Sequence, residues 1–142
     1  MEFLRNYLDL GVIGVLGLMS LIALAYVIER WIHYGRLRIE QYSHIESLKL
    51  DLNQGLSVIA TIASNAPYVG LLGTVFGIML TFYDMGQSGQ IDTQSVMVGL
   101  ALALKATALG LLVAIPAMMF YNGLVAKAEA LQSRWKLMHD QA

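Results

Sequence analysis

The sequence predicts an all-α integral membrane protein with three transmembrane helices, and three observations support this fold class. The 142 residues are 57% hydrophobic and 13% charged, whereas about 25% of residues in an ordinary soluble domain are charged. Mean hydropathy is +0.60. The apolar residues form three blocks, at 10–28, 52–83 and 93–126, and each is as long as the ~20 residues that a membrane-spanning helix needs.

Composition also excludes several classes of function. The net charge of −1 gives no indication of nucleic-acid binding, and we predict none. Without cysteine, the chain has no disulfides, thiolate metal sites or cysteine nucleophiles. The histidines His33, His44 and His139 are scattered without ligand spacing, and no nucleophile has a base beside it. We therefore predict no enzyme activity, no metal and no cofactor.

The three blocks belong to one predicted membrane domain, 1–142. The first is a permanent helix rather than a signal peptide, because its apolar stretch exceeds the usual ~7–15 residues and Arg5 is balanced by Glu2 and Asp9. The predicted parts are an outer-side N-terminus (1–9), a first span (10–28), a cytoplasmic segment (29–62), a second span (63–83), an outer-side loop (84–94), a third span (95–121) and a cytoplasmic tail (122–142).

Lysine and arginine determine the predicted orientation, because they concentrate in cytoplasmic segments. The loop "DMGQSGQID" (84–92) has neither residue, and the first nine residues have only Arg5. The N-terminus and this loop are therefore predicted outside, and the cytoplasmic parts carry Arg30, Arg36, Arg38, Lys49, Lys127, Arg134 and Lys136.

The second and third helices are predicted to extend into the cytoplasm. Residues 93–126 would measure about 50 Å as a helix, against a hydrocarbon core of roughly 30 Å. In the 36–54 segment, Ile45, Leu48 and Leu52 recur at helical spacing. This predicts a cytoplasmic helix packed against those extensions.

Small residues follow one face of each of these two helices, and such stripes allow close helix packing in lipid. They fit packing of the second helix on the third within one chain, and they also fit self-association into a homo-oligomer. Pro67 and Pro116 are predicted to kink their helices near the cytoplasmic edge. The stripes are Gly70, Gly73 and Gly77 in the second helix, and Gly99, Ala103, Ala106, Gly110, Ala114 and Ala117 in the third.

Lys105, Thr74 and Thr107 are predicted to form one polar layer near the membrane midplane. Counted from the outer loop, Thr74 lies about 15 Å and Lys105 about 18 Å along its helix. The threonine hydroxyls have an alternative, a bond to their own helix carbonyls, and Lys105 has the alternative of snorkelling toward an interface. The predicted spans contain no acid. The partner of Lys105, if charged, is therefore expected from another chain.

Two segments resemble a known family. The stretches "ASNAPYVGLLGTVFGIMLTF" (63–82) and "ALALKATALGLLVAIPAMMFYN" (101–122) are similar to the signature helices of the ExbB/TolQ/MotA family, the ion-driven motor subunits of the bacterial inner membrane. The details are closest to the ExbB branch, then TolQ; MotA-type members usually have four spans.

The resemblance implies a homo-oligomer, a pentamer around two ExbD-like single-span chains, each with an intramembrane aspartate. Proton flow through this unit would drive a TonB-like protein. The family's polar threonines correspond to Thr74 and Thr107. Many members have a glutamate on the third helix where this chain has Leu102. Lys105 is then a candidate counter-ion for the partner's aspartate.

Alternatives of other kinds stay open. A TolQ-like stator for outer-membrane integrity has the same pattern, and a passive scaffold for a single-span partner would explain the missing glutamate. A secondary transporter is disfavoured, since three spans without an inverted repeat do not build a midplane site in one chain.

Overall fold

The computed structural model describes residues 2–140, with Glu2 described as backbone only. Met1, Gln141 and Ala142, at the ends of the predicted outer N-terminus and the predicted tail, lie outside the described residues. The described residues form helices and short connections, without a strand. In chain order these are α1 (Glu2–Arg36), a 3-10 turn (Ile39–Gln41), α2 (Ile45–Asn53), α3 (Leu56–Ser88) and α4 (Thr93–Asp140).

Three helices, α1, α3 and α4, are long and apolar enough to cross a membrane, which confirms the predicted helical architecture with three candidate spans; the cytoplasmic extension of the helices and the homo-oligomer stay predictions. All three continue beyond the predicted spans. Between α3 and α4 only residues 89–92 are non-helical, so most of the segment predicted as an outer loop belongs to the helix ends. Pro67 and Pro116 lie inside continuous helices, and a kink at either stays a prediction.

The turn between α3 and α4 follows from its local sequence. Gly89 has φ +70°, a left-handed conformation that glycine adopts without a steric penalty, and it ends α3. Asp92 then precedes the first turn of α4 and accepts hydrogen bonds from the backbone N–H of Gln94 and the hydroxyl of Ser95. The bond from Gln94 satisfies one of the backbone N–H groups that the first turn of a helix leaves free.

The small-residue stripes bring α3 and α4 into close contact within one chain. A Cβ added to Gly70 would lie 2.6 Å from the carbonyl oxygen of Ala106, and one added to Gly77 would lie 2.8 Å from the Cβ of Ala103. Near the turn between α3 and α4, Gly99 makes room for Thr81. The structure therefore uses the stripes for packing inside the chain, and self-association stays a prediction.

Helix α1 packs against both members of this hairpin. Leu16 is buried with Ala66 of α3 and Ala114 of α4. Closer to the start of α1, the side chain of Val12 covers Gly73. The first turns of α1 thus lie beside α3 and α4 and do not project away from them.

The opposite end of the bundle has its own apolar core. The predicted helix in the 36–54 segment is confirmed as α2, and Leu48 and Leu52 are fully buried against α3 and α4. The indole N–H of Trp135 donates to the carbonyl of Tyr42 at 2.9 Å. This bond ties the far end of α4 to the connection before α2.

Candidate functional site

Thr74 and Thr107 join α3 to α4 through a chain of hydroxyls. The hydroxyl of Thr74 donates to the carbonyl of Ala103 at 2.8 Å. A threonine hydroxyl has a single proton, so the contact between the two hydroxyl oxygens is a bond donated by Thr107. The alternative that Thr74 bonds only to its own helix is wrong, since both partners lie on α4.

Lys105 has an acidic partner in the same chain. Its Nζ lies 4.0 Å from Oδ2 of Asp9 in α1. The expectation that any charged partner must come from another chain is therefore wrong. Residues 1–9 are predicted to form an outer-side N-terminus apart from the first span, but α1 begins at Glu2 and its first turns contact α3 through Arg5 and α4 through Asp9.

The predicted polar layer divides between two faces of α4. Residues two positions apart on a helix do not face each other, and Lys105 and Thr107 are two apart. Leu109, one turn from Lys105, packs beside α1 residues, so Lys105 lies on the side of α4 that faces α1. Thr107 lies on another side, against α3. Among the described residues, no hydrogen bond joins Lys105 to either threonine.

The ion pair is only partly covered by its own chain. The side chain of Lys105 is 47% exposed and that of Asp9 is 31% exposed. Leu102, which occupies the position of the family's glutamate, is also exposed. Leu102 is three positions before Lys105 in α4, so the two side chains lie on neighbouring parts of the helix surface.

A second α1 charge lies one turn further out. Arg5 donates to the hydroxyl of Thr81 at 2.8 Å, and Thr81 in turn donates to the Gly77 carbonyl. Arg5 and Thr81 also line an open cleft of about 410 Å³ beside the turn between α3 and α4. One buried oxygen of Asp84, Oδ1, has no hydrogen-bond partner among the described residues. The polar lining of this cleft is Arg5, Thr81, Asp84, Ser88, Gln90, Asp92 and Ser95.

A polar cluster at the opposite end is centred on Asp51. Its Oδ2 accepts from Tyr42 at 2.8 Å and lies 2.7 Å from Nε2 of His33, and its backbone carbonyl accepts from the buried Arg30. Burial by itself would raise the pKa of Asp51, but the bonds to His33 and Tyr42, with the charges of His33 and Arg30, together lower it.

This cluster has no signature in the sequence, because Arg30 and His33 lie on α1 whereas Asp51 lies on α2. Asp51 lies on a helix that the spacing of apolar residues predicts, and this spacing does not indicate which residues of α1 the carboxylate contacts. In the part of the chain that the structure describes, no group of three or more His, Cys, Asp or Glu is arranged to hold a metal ion.

The fold and the site together define a three-span membrane protein with polar groups inside its helical hairpin. Residues 36–137 match the model of the MotA/TolQ/ExbB proton channel family, and the chain belongs to that family. The resemblance found in the two signature helices is thereby confirmed.

Similar proteins extend over nearly the full chain. The "Biopolymer transport protein ExbB" of Helicobacter pylori is 52% identical over 138 residues, which cover 97% of this chain and 95% of the relative. That of Aquifex aeolicus is 49% identical over 141 residues, 99% of this chain and 95% of the relative. The "Tol-Pal system protein TolQ" of Pseudomonas aeruginosa is 43% identical over 90 residues, 63% of this chain and 39% of the relative.

Proposed function

We propose that this chain is an ExbB-like subunit of a motor driven by the proton motive force. It forms a homo-oligomer, a pentamer by analogy with its family, in the bacterial inner membrane with its N-terminus outside and its C-terminus in the cytoplasm. With an ExbD-like single-span partner it energises TonB-dependent uptake across the outer membrane. The observation that carries the proposal is the hydroxyl chain of Thr107 and Thr74 inside a chain that matches ExbB proteins almost end to end.

The threonine pair suits an aspartate that changes protonation state. Thr107 donates to Thr74, which leaves the oxygen of Thr107 free to accept a bond. A protonated partner aspartate donates to that oxygen. When the aspartate ionises, the Thr107 hydroxyl rotates and donates to the carboxylate, while Thr74 keeps its bond to Ala103. Both states of the acid are therefore hydrogen-bonded in a region where an unpaired polar group is costly.

The faces of α4 decide which residues meet the partner. Because Lys105 faces α1 and Asp9, we assign contact with the partner's aspartate to Thr107, which the buried Thr74 supports from inside the hairpin, and not to Lys105. The counter-ion role expected for Lys105 is thereby replaced with an ion pair inside the chain.

An ExbB role is favoured over a TolQ role by the two ExbB relatives that match this chain almost end to end and are covered over 95% of their length. The support comes from these full-length matches and not from ExbB proteins in general, because other ExbB relatives are covered over only 22% and 31% and the TolQ relative over 39%. A deletion strain that loses growth on an iron complex imported through a TonB-dependent receptor, and keeps its resistance to detergent, is the expected phenotype. The reverse pair of phenotypes contradicts the ExbB assignment.

Proton flux tests the mechanism. The chain is co-expressed with the single-span protein that co-purifies with it, and the complex is reconstituted in liposomes under a pH gradient. Thr107→Val should lower the flux at least about tenfold, while Thr107→Ser, which keeps the hydroxyl, should retain most of it. The complex must keep its mass in both variants. If the wild-type complex assembles and carries no flux, the chain is a scaffold and the motor proposal is wrong.

A further inference from the structure

We infer that a small cavity between α1 and α4 binds a water molecule, which joins the hydroxyl of Ser20 to the backbone carbonyl of Leu112, a carbonyl that Pro116 leaves without a donor in its own helix. The site lies inside the predicted membrane spans. It does not rest on the proposed motor function, because it follows from the packing of two helices and from the chemistry of proline.

The first step is a gap in the hydrogen bonds of α4. Pro116 lies inside this helix, and proline has no backbone N–H. In an α-helix the N–H at this position donates to the carbonyl four residues earlier, so the carbonyl of Leu112 lacks the donor that its helix would supply. Both residues lie inside the predicted third span, 95–121. Lipid offers no donor, so this carbonyl needs a partner from the protein or from bound water.

The second step is the position of the cavity. A space of about 80 Å³ lies between α1 and α4, and both residues of the gap line it. The helices are packed on either side of this space. Toward the start of α1, Leu16 is buried with Ala114, and toward its end Val27 belongs to the same buried core as Leu124. The cavity therefore interrupts the packing between two buried layers, at the level of the proline.

The third step is the polar group on the α1 wall. Ser20 lies one turn after Leu16 and one turn before Ala23, and both of these are buried, so Ser20 belongs to the face of α1 that meets α4. Its hydroxyl has no hydrogen bond to any described residue, whereas that of Ser64 bonds to a carbonyl of its own helix. Apart from Ser20, the side chains that line the cavity are apolar: Ala23, Leu24, Val27, Leu112, Val113, Pro116, Ala117 and Phe120.

The fourth step is the choice of ligand. A cavity of this size admits at least one water molecule, and buried water bonds to roughly two to four polar groups. The water donates to the carbonyl of Leu112 and bonds to Ser20, whose hydroxyl both donates and accepts. Lipid methylene groups would fill the same space and leave both polar groups unpaired, which is costly. Water is therefore the ligand that this cavity fits.

Bound water also makes this point of α4 suitable for bending. Helices kink where a proline stands or where water enters their hydrogen bonds, and both conditions meet at Pro116. A water molecule can move with the carbonyl when the helix changes direction. The link from α4 to Ser20 is therefore kept while α4 bends.

A double-mutant cycle tests the link between Ser20 and the carbonyl. Ser20→Ala should lower the thermal unfolding midpoint of the detergent-solubilised protein by about 2–4 °C. In a Pro116→Ala background, alanine supplies the missing N–H, and the same change at residue 20 should have almost no effect. Ser64→Ala, which removes a bond within its own helix, is the control and should behave alike in both backgrounds. An equal effect of Ser20→Ala in both backgrounds overturns the inference.

A thiol at residue 20 tests for the water itself. The chain has no cysteine, so Ser20→Cys gives a single S–H stretching band in the infrared spectrum, and a thiol is still a weak hydrogen-bond donor. In heavy water this band should convert to S–D at least about tenfold faster than the band of Leu21→Cys. Residue 21 is the control because it is 68% exposed and does not line the cavity.

Filling the cavity should remove the difference. Ala23→Val adds volume to the lining and should slow the exchange at residue 20 to the rate at residue 21. Equal exchange at the two residues without this change overturns the water site. A positive double-mutant cycle with slow exchange shows a direct bond from Ser20 to Leu112 and overturns it too. The exchange measurement needs no change at Pro116, so it decides the inference even where Pro116→Ala does not fold.

Discussion

The backbones of Gly70 and Gly110 are in direct contact: a Cβ added to Gly110 would lie 3.0 Å from the Cα of Gly70 and 2.7 Å from the carbonyl oxygen of Ala66. Neither of these atoms belongs to a movable side chain, so the two helices must separate to admit even a methyl group.

Gly110→Ala should therefore destabilise the α3–α4 hairpin by about 1–3 kcal/mol. Gly17→Ala is the matched control, because nothing lies within 4 Å of its added Cβ and alanine favours helix by up to about 1 kcal/mol over glycine. Thermal unfolding of the detergent-solubilised protein measures both changes. Equal midpoints for the two variants would show that α3 and α4 do not pack as described.

Thr74→Val should cost about 0.6–1.7 kcal/mol, the range for hydrogen bonds between membrane helices. The loss arises because Thr74 donates to a carbonyl of α4. Thr61→Val, on the same helix, removes only an exposed bond to the Ser57 carbonyl of its own helix and should cost almost nothing. Chemical unfolding in mixed micelles compares the two, and a cost at residue 61 equal to that at residue 74 contradicts the interhelical bond.

The stability of the polar cluster around Asp51 is expected to depend on pH. Its pKa is lowered in the folded chain, since the bonds to His33 and Tyr42 and the nearby positive charges outweigh burial. A lowered carboxyl pKa adds stability above the unfolded-state pKa of about 3.9, and this contribution is lost as the pH falls through the lower folded-state pKa.

Asp51→Asn should therefore destabilise the chain by about 2 kcal/mol at pH 7, and the penalty should become smaller at pH 3, below the unfolded-state pKa. The exposed Glu46→Gln on the same helix is the control and should show no such difference. Unfolding curves at the two pH values measure the effect. If the loss in free energy of unfolding is the same at both pH values, the charge of Asp51 does not contribute to stability and the prediction is wrong.

Trp135→Phe should loosen the connection between α4 and the segment before α2. Phenylalanine keeps most of the buried apolar area but cannot donate to the Tyr42 carbonyl, a loss of about 1 kcal/mol. Amide exchange of residues 39–53 should be faster in this variant. Trp31→Phe, at an exposed position, should leave it unchanged; equal acceleration in both variants argues against the Trp135 bond as the cause.

Hydrophobic pattern accounts for what the sequence predicts well. The three spans, the hairpin of small residues and α2 each follow from the spacing of apolar or small side chains, and burial of that surface is what orders them. Leu48 and Leu52 illustrate this, since their spacing alone predicted a helix face that is fully buried.

Polar contacts across the chain were harder to predict. Asp9 was placed outside the membrane because charges were used to mark the end of the span, yet the helix continues and carries the charge to Lys105. Lys105 and Thr107 lie at nearly the same depth along α4, so depth alone predicts that they are neighbours. Their angular positions around the helix axis differ, and the two side chains therefore point to different sides of α4. Asp51 and His33 are brought together by the turn between α1 and α2, which apolar periodicity does not specify.

Helix α4 is continuous from Thr93 to Asp140, so a change in its tilt would move its two ends by different amounts. From Thr107 to Trp135 the helix measures about 42 Å, at about 1.5 Å per residue. A tilt of about 10° at the hairpin contact moves the Trp135 end by roughly 7 Å. Because the indole N–H of Trp135 donates a hydrogen bond to the Tyr42 carbonyl, the segment before α2 would move together with this end of α4. If a rearrangement of the hydroxyl groups tilted α4 by this angle and the helix were straight through Pro116, its far end would be displaced by more than the pitch of a helix.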